Sequence, residues 1–144
     1  MAPVSFTAKS FCRGGAPTPL SVNGQKPAGA GVLFYDFSRR LEGEAQGEAT
    51  AAFVAASHAS NPASNTAAGI LYFEGTLLGK KGWFSATLTG VLDFPRIESK
   101  FEIIEAATGG ELAGLKGSGY YIIGEMDPDG DDEGNDLHFD VELP

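Results

Sequence analysis

The sequence is poor in cysteine, histidine and basic residues, and each shortage excludes a class of structure or function. Cys12 is its one cysteine, so no disulfide can form within the chain, as is usual in a reducing compartment. His58 and His138 lie far apart, and neither has a second metal-ligating residue near it in ligand spacing. The net charge is −9, from 10 basic and 19 acidic residues, and such a protein repels phosphate backbones. We therefore expect no metal, no cofactor and no nucleic acid partner.

Long apolar runs and targeting signals are also missing from the sequence. No stretch approaches the roughly 18 apolar residues of a membrane span. The first residues lack a basic region followed by an apolar run, which a secretory signal needs. The acidic charge opposes binding to anionic membrane surfaces. From these features we expect a cytoplasmic protein that does not associate with membranes.

An acidic run near the C-terminus has the wrong spacing for calcium. Asp127, Asp129 and Asp131 alternate as they do in a calcium loop. That loop requires Gly at its sixth place and Glu at its twelfth, where this sequence has Asp132 and His138. The run is therefore predicted to be a solvated hairpin tip.

The chain has instead a strong alternation of apolar and polar residues with a period of two, which indicates β-strands. The alternation is sharpest at residues 96–106. Residues 44–56 fit a helix as well as a strand, but the period of two separates small from polar residues cleanly, so we predict a strand. The predicted strands are residues 4–11, 31–41, 44–56, 69–78, 82–92, 96–106, 117–124 and 137–143.

The segments between the predicted strands are rich in Gly, Pro, Ser, Asn and Asp. Residues 12–30 form a long Pro- and Gly-rich connection, able to cover a barrel mouth, with a short extended piece at residues 20–22. Residues 58–67 and 127–136 are predicted loops, and residues 79–81 a hairpin turn. One helical turn is expected around residues 111–115. Eight antiparallel strands favour a closed β-barrel, here a single domain spanning residues 1–144.

Two segments resemble a known family of small barrels. They are the hairpin at residues 75–84, Gly-Thr-Leu-Leu-Gly-Lys-Lys-Gly-Trp-Phe, and the run at residues 109–119, which includes Gly-Glu-Leu-Ala-Gly-Leu. They resemble the uncharacterised branch of the allene-oxide-cyclase-like superfamily known as domain of unknown function 3224. The resemblance covers residues 31–143 and implies an eight-stranded antiparallel barrel with a lumen. Relatives in the superfamily include cofactor-free cyclases that act on apolar intermediates.

The sequence departs from this family at two positions. The family pattern often has a glutamate before the hairpin and a histidine after it, and such a pair would suit acid–base chemistry. The matching positions here are Leu71 and Leu88. The resemblance therefore supports the fold more strongly than an acid–base role.

Strand parity places a set of large apolar side chains inside the barrel. They form either a solid core or the lining of a cavity for a small apolar molecule. Small residues on the third predicted strand, such as Ala45 and Ala49, favour a cavity because they leave room beside the rings. The predicted ligand-binding residues are Phe53, Leu71, Phe73, Phe84, Leu88, Phe101 and Phe139, and Ile103 and Val141 share their parity.

Three polar residues share the inward parity and are the candidates for catalysis. Tyr35 and Tyr121 can donate a hydrogen bond to a developing oxyanion, and Arg39 can stabilise it electrostatically. Alternatively, these side chains pair with acidic or backbone groups, or Arg39 lies at the rim.

Two functions follow from this reading. The first is a cofactor-independent cyclase or isomerase that folds a small apolar substrate into a reactive conformer. The second is a non-catalytic carrier of small hydrophobic ligands, which Leu71 and Leu88 favour. A solid barrel that acts only as an interaction module is the third alternative, and a homo-oligomer is compatible with all three.

Overall fold

The computed structural model describes residues 3–14, 18–19, 31–93, 96–123 and 132–144. In these residues nine strands form one antiparallel sheet, and none of them is helical. Accordingly, no helix within them is long and apolar enough to cross a membrane. The strands are β1 (Val4–Gly14), β2 (Thr18–Pro19), β3 (Val32–Gly43), β4 (Ala45–His58), β5 (Asn61–Leu77), β6 (Lys80–Asp93), β7 (Arg96–Gly110), β8 (Lys116–Ile123) and β9 (Asp132–Glu142).

The sheet closes on itself as a barrel. From β3 to β9 each strand pairs with the next, and β1 pairs with both β9 and β3. Ala8 of β1, for example, lies opposite Leu137 of β9 and Gly43 of β3. The short β2 pairs with β3 beyond the end of β1, so eight long strands form the wall. The closed eight-stranded antiparallel barrel predicted from the alternation is confirmed.

The segment that fits both helix and strand is a strand, β4. Its side chains alternate between the interior and solvent along most of its length. The inward positions include Ala45, Ala49, Ala51 and Ala55, each exposed by 1% or less. Because a cavity of water size would leave accessible surface on these alanines, the space beside them is filled. The small residues of β4 therefore do not leave the void that we expected from the sequence.

Several strands are longer than predicted because neighbouring strands pair with the additional residues; β7, for example, continues to Gly110, which pairs with Gly82 of β6. β5 begins at Asn61, so residues 61–67 are strand and not loop; Asn65, for example, pairs with Ser57. β1 continues to Gly14, and β9 already begins at Asp132. The predicted extended piece at residues 20–22 and the acidic residues 127–131 lie outside the described residues.

The hairpin between β5 and β6 turns one residue earlier than predicted. Leu77 pairs with Lys80, which leaves a two-residue loop of Leu78 and Gly79 instead of a turn at residues 79–81. Both loop residues have positive φ, 50° for Leu78 and 82° for Gly79. Positive φ at both positions is the geometry that matches the twist of a two-residue β-hairpin.

Candidate functional site

One end of the barrel is closed by the segment between β7 and β8. Leu112 and Leu115 are fully buried there and belong to the hydrophobic core. The amide of Leu112 bonds to the carbonyl of Gly109 at 3.3 Å, and that of Leu115 to the carbonyl of Leu112 at 3.0 Å. These are bonds between residues three apart in tight turns, so the helical turn predicted around residues 111–115 was wrong. We call this end of the barrel the closed end.

The polar residues of the closing segment hold it against the barrel wall. The amide of Glu111 donates to the carbonyl of Lys81 at 2.8 Å, and Glu111 Oε1 accepts from the amide of Lys81 at 3.1 Å. Thr108 Oγ1 donates to the carbonyl of Glu105 at 2.9 Å and accepts from the amide of Gly114 at 2.8 Å. The Gly-Glu-Leu-Ala-Gly-Leu run, which carries the family resemblance, therefore has a structural role in this chain.

The opposite end, where β1 ends and β3 begins, is packed less completely, and we call it the mouth. Inward side chains near it, such as Phe53, Leu92 and Ser99, are 7–8% exposed, whereas Phe73 and Leu77 toward the closed end are 0% exposed. A cavity of ≈ 10 Å³ lies among the mouth residues, which is room for about one water molecule. Its lining residues are Phe53, Ala67, Leu88, Gly90, Leu92 and Ser99.

Arg39 on β3 is the one charged side chain that is buried among the described residues, with 2% of its surface exposed. Its Nη1 donates a hydrogen bond to Ser10 Oγ at 2.9 Å. The guanidinium carbon lies 4.2 Å from the ring centre of Tyr121 and 4.9 Å from that of Phe37, within the range of cation–π attraction. Arg39 therefore lies inside the barrel and not at its rim, while the next residue, Arg40, faces solvent.

β1 places two further polar side chains beside Arg39. Ser10 and Cys12 are buried, and Cys12 lies directly opposite Arg39 in the β1–β3 register. Neither residue was among the site residues predicted from the sequence: Ser10 lay in the first predicted strand without an assigned role, and Cys12 was assigned to the connection that follows it. The alternation of Phe6, Ala8, Ser10 and Cys12 on one face was the signal that could have identified them.

The three polar residues predicted for catalysis do not form one cluster. Arg39 and Tyr121 are in contact, whereas Tyr35 precedes Arg39 on β3, nearer the mouth, and stacks on Phe53 with 5.1 Å between ring centres. Phe37 meets Phe53 edge-on at 5.6 Å, and so links Tyr35 to Arg39 through aromatic rings. A tyrosine hydroxyl is protonated at neutral pH and can donate a hydrogen bond, and burial raises the pKa of Tyr35 further.

The predicted ligand-binding residues all face the interior, and most of them pack against one another. Phe73 lies 5.2 Å from Phe84, Phe84 lies 6.3 Å from Phe101, and Phe101 lies 5.5 Å from Phe139, measured between ring centres. All four are exposed by 3% or less, so this part of the interior is filled by side chains. Only Phe53 and Leu88 of the predicted set border the cavity at the mouth.

The two positions that depart from the family pattern also face inward. Leu71 is 2% exposed and Leu88 is 3% exposed. The register places Leu88 opposite Gly69, two residues before Leu71 on β5. Apolar side chains therefore occupy both of these inward positions, and neither of them can act as an acid or a base.

The acidic and histidine side chains of the outer wall form local pairs. Asp136 accepts a hydrogen bond from Lys9 at 2.6 Å, and this contact lowers the pKa of the Asp136 carboxyl. His138 stacks on Tyr120 with 4.3 Å between ring centres. Within the described part of the chain, no three His, Cys, Asp or Glu side chains are placed to hold a metal ion.

Comparisons with known proteins identify a family and a similar solved structure. A family model described as "Protein of unknown function (DUF3224)" matches residues 18–130. A crystal structure of a protein with unknown function from the DUF3224 family of Shewanella oneidensis MR-1, at 1.84 Å resolution, aligns with a TM-score of 0.72. The two sequences are 17% identical over 99% of this chain and 98% of that chain, which shows a shared fold alone. No curated protein matches the sequence.

Proposed function

The chain belongs to the DUF3224 family, and we propose that it binds a small, mostly apolar molecule with an anionic oxygen at the mouth of its barrel. The observation that carries this proposal is the guanidinium of Arg39, the one charged side chain buried among the described residues, in a mostly apolar interior. The family resemblance to allene-oxide-cyclase-like barrels agrees with a ligand inside the barrel.

A buried guanidinium is a strong attractant for an anionic group. Its five N–H donors match the geometry of a carboxylate or sulfonate, and low polarity strengthens each charge-assisted hydrogen bond. Ser10 accepts a bond from Nη1, and the rings of Tyr121 and Phe37 lie next to the guanidinium. The cavity at the mouth has room for about one water molecule, so a flat ligand must displace side chains of the mouth to reach Arg39, where its anionic group would be shielded from water.

The packing limits the size of this ligand. Toward the closed end, side chains such as Phe73 and Phe84 fill the interior, so a long chain cannot extend there. At the mouth, Tyr35 and Phe37 are only partly buried and Phe53 borders the small cavity. We therefore infer a ligand of the size of one or two rings, with its apolar part against these aromatic side chains.

A cyclase or isomerase activity is the second candidate, and the contact between Arg39 and Tyr121 favours it. Both side chains can stabilise negative charge that develops on a substrate oxygen. Leu71 and Leu88 offer no acid–base pair, so catalysis would depend on the positioning of the substrate and on this electrostatic contribution. Binding without turnover, which is the function of a carrier, needs the same site and no further group.

The experiment compares two fluorescent probes of similar shape, the anionic 8-anilinonaphthalene-1-sulfonate and the neutral N-phenyl-1-naphthylamine. We expect the protein to bind both. Arg39→Met should weaken binding of the anionic probe about tenfold or more while binding of the neutral probe is retained. Arg39→Lys, which keeps the charge, should fall between the two. Arg40→Met is the matched control, because it removes a neighbouring solvent-facing charge and should leave both affinities unchanged.

The circular dichroism of aromatic side chains confirms that each variant is folded, since the anionic probe also binds loosened cores. Failure of the unmodified protein to bind either probe would refute the proposal. Equal effects of Arg39→Met and Arg40→Met would also refute it. Incubation of the protein with a bound candidate substrate, followed by chromatography for a product of unchanged mass, separates isomerase from carrier.

A further inference from the structure

Among the described residues, the lining of the cavity at the mouth has one polar side chain, that of Ser99 on β7. Ser99 faces inward and is 8% exposed, while its neighbours in the lining, such as Phe53 and Leu88, are apolar. Within the described part of the chain, no group forms a hydrogen bond with the Ser99 hydroxyl. Nearly all buried polar groups in proteins have a partner, so this hydroxyl needs one that comes from outside the chain.

The lack of a side chain at Gly90 leaves the space beside this hydroxyl open. Gly90 on β6 lies opposite Ser99 and shares the inward parity of Leu88 and Leu92. A Cβ at Gly90 would lie 2.6 Å from Ser99 Oγ and 2.7 Å from the carbonyl oxygen of Glu98. Any other residue at this position would therefore crowd the hydroxyl, and glycine keeps Oγ accessible from the cavity.

Tyr121 connects the Ser99 hydroxyl with the buried guanidinium. Ser99 lies directly opposite Tyr121 in the register of β7 and β8. The guanidinium carbon of Arg39 lies 4.2 Å from the centre of the Tyr121 ring. Residues opposite each other on adjacent strands are about 5 Å apart. Arg39 and Ser99 are therefore both neighbours of one side chain, and a ligand of one or two rings can reach both.

We propose that Ser99 makes the second polar contact with the ligand, which carries a hydroxyl or carbonyl group in addition to its anionic oxygen. This inference rests on the proposed function and names the class of ligand, a hydroxy- or oxo-substituted aromatic acid. A serine hydroxyl can donate to a carbonyl oxygen and can accept from a hydroxyl group. The cavity of ≈ 10 Å³ has room for a group of the size of water, so a single oxygen fits beside Ser99 and a ring does not.

This contact makes the site selective against purely apolar analogues. An apolar group in the cavity would displace the water that can bond to Ser99 without replacing its hydrogen bond, which lowers affinity. The hydroxyl would then be left buried without a partner. Ser99 thus determines specificity, while Arg39 attracts the anionic group.

The experiment compares 2-naphthol with 2-methylnaphthalene, which have the same shape and differ by a hydroxyl in place of a methyl group. Isothermal titration calorimetry measures their affinities for the unmodified protein and for Ser99→Ala. We expect Ser99→Ala to lower the affinity for 2-naphthol about fivefold and to leave that for 2-methylnaphthalene unchanged. Ser118→Ala is the matched control, because Ser118 is an exposed serine on the adjacent strand β8, and it should change neither affinity.

Both compounds are neutral, so the result is separate from the effect of Arg39 on an anionic probe. Ser99→Ala should bind 8-anilinonaphthalene-1-sulfonate as the unmodified protein does and keep its stability in urea, because its hydroxyl has no hydrogen bond within the described chain to lose.

An unchanged affinity of Ser99→Ala for 2-naphthol, or no binding of 2-naphthol by the unmodified protein, would overturn the second contact. The proposed function would still stand if Arg39→Met weakens binding of the anionic probe. An equal loss of affinity for both compounds, with lower stability in urea, would give Ser99 a structural role and also overturn the inference.

Discussion

The difference in packing between the two ends of the barrel makes a quantitative prediction for two leucines. Leu77 near the closed end is 0% exposed, and Leu92 near the mouth is 8% exposed and borders the ≈ 10 Å³ cavity. Leu→Ala removes three carbon atoms, and at about 0.8 kcal/mol each the lost burial is about 2.4 kcal/mol at either site. At Leu77 the strands around it are fixed by pairing on both sides, so a new void remains and adds to this cost.

We therefore expect Leu77→Ala to lower the free energy of unfolding by about 4–5 kcal/mol and Leu92→Ala by about 2–3 kcal/mol. The cost at Leu92 is smaller because that side chain already lacks some neighbours and because water can enter at the mouth. Urea unfolding measures both, and the difference corresponds to about 1 M in the midpoint at a typical slope. Equal costs, or a larger cost for Leu92→Ala, would refute the distinction between a tightly packed closed end and a loosely packed mouth.

Two further predictions concern the outer wall. In Lys9→Met the pKa of Asp136 should rise toward its ordinary value, and NMR titration of the carboxyl would show this rise. In the unmodified protein, the contact with Lys9 stabilises the fold fully above the unfolded-state pKa of the Asp136 carboxyl. This stabilisation is lost as the pH falls through the lowered folded-state pKa. Gly109→Ala should cost about 1–3 kcal/mol and shift the fluorescence of Trp83, because an added Cβ would collide with the indole. Gly79→Ala is the control for the fluorescence alone: it strains the backbone at φ 82°, but the added Cβ meets no atom within 4 Å, so the fluorescence of Trp83 should not change.

The fold could be predicted because closure of a barrel requires alternation in every strand, and the sequence shows it in nearly all of them. The strand prediction failed where the amino-acid composition of a segment is typical of a loop but its backbone pairs with a neighbouring strand. Residues 61–67 are rich in Ser, Asn and Ala, a composition typical of loops. In the structure Ser57 Oγ donates to Asn65 Oδ1 at 3.0 Å, and the backbone of this segment pairs with β4. Hydrogen bonding to the adjacent strand β4 outweighs the loop preference of these residue types. The sequence alone does not show which strand lies next to this segment.

The candidate site was predicted only in part, for a related reason. Parity along β3 correctly placed Arg39 inside the barrel, and parity along β8 placed Tyr121 there. Parity does not state which inward residues of different strands meet, so the separation of Tyr35 from this pair could not be predicted. It also does not state what fills the space beside a small residue, and so the alanines of β4 suggested a cavity where the interior is packed.

The buried guanidinium separates the remaining functional alternatives, because stability and binding respond differently to its removal. Replacement of a buried charged group by an apolar side chain of similar volume is often neutral or stabilising, unless partner groups are left unsatisfied. If Arg39→Met keeps or raises stability and loses the anionic probe, Arg39 serves ligand recognition. If it lowers stability while the affinity for both probes stays the same, Arg39 serves the packing of the mouth, and the interaction module becomes the better account. The two measurements on this variant therefore distinguish a binding barrel from a solid one without knowledge of the natural ligand.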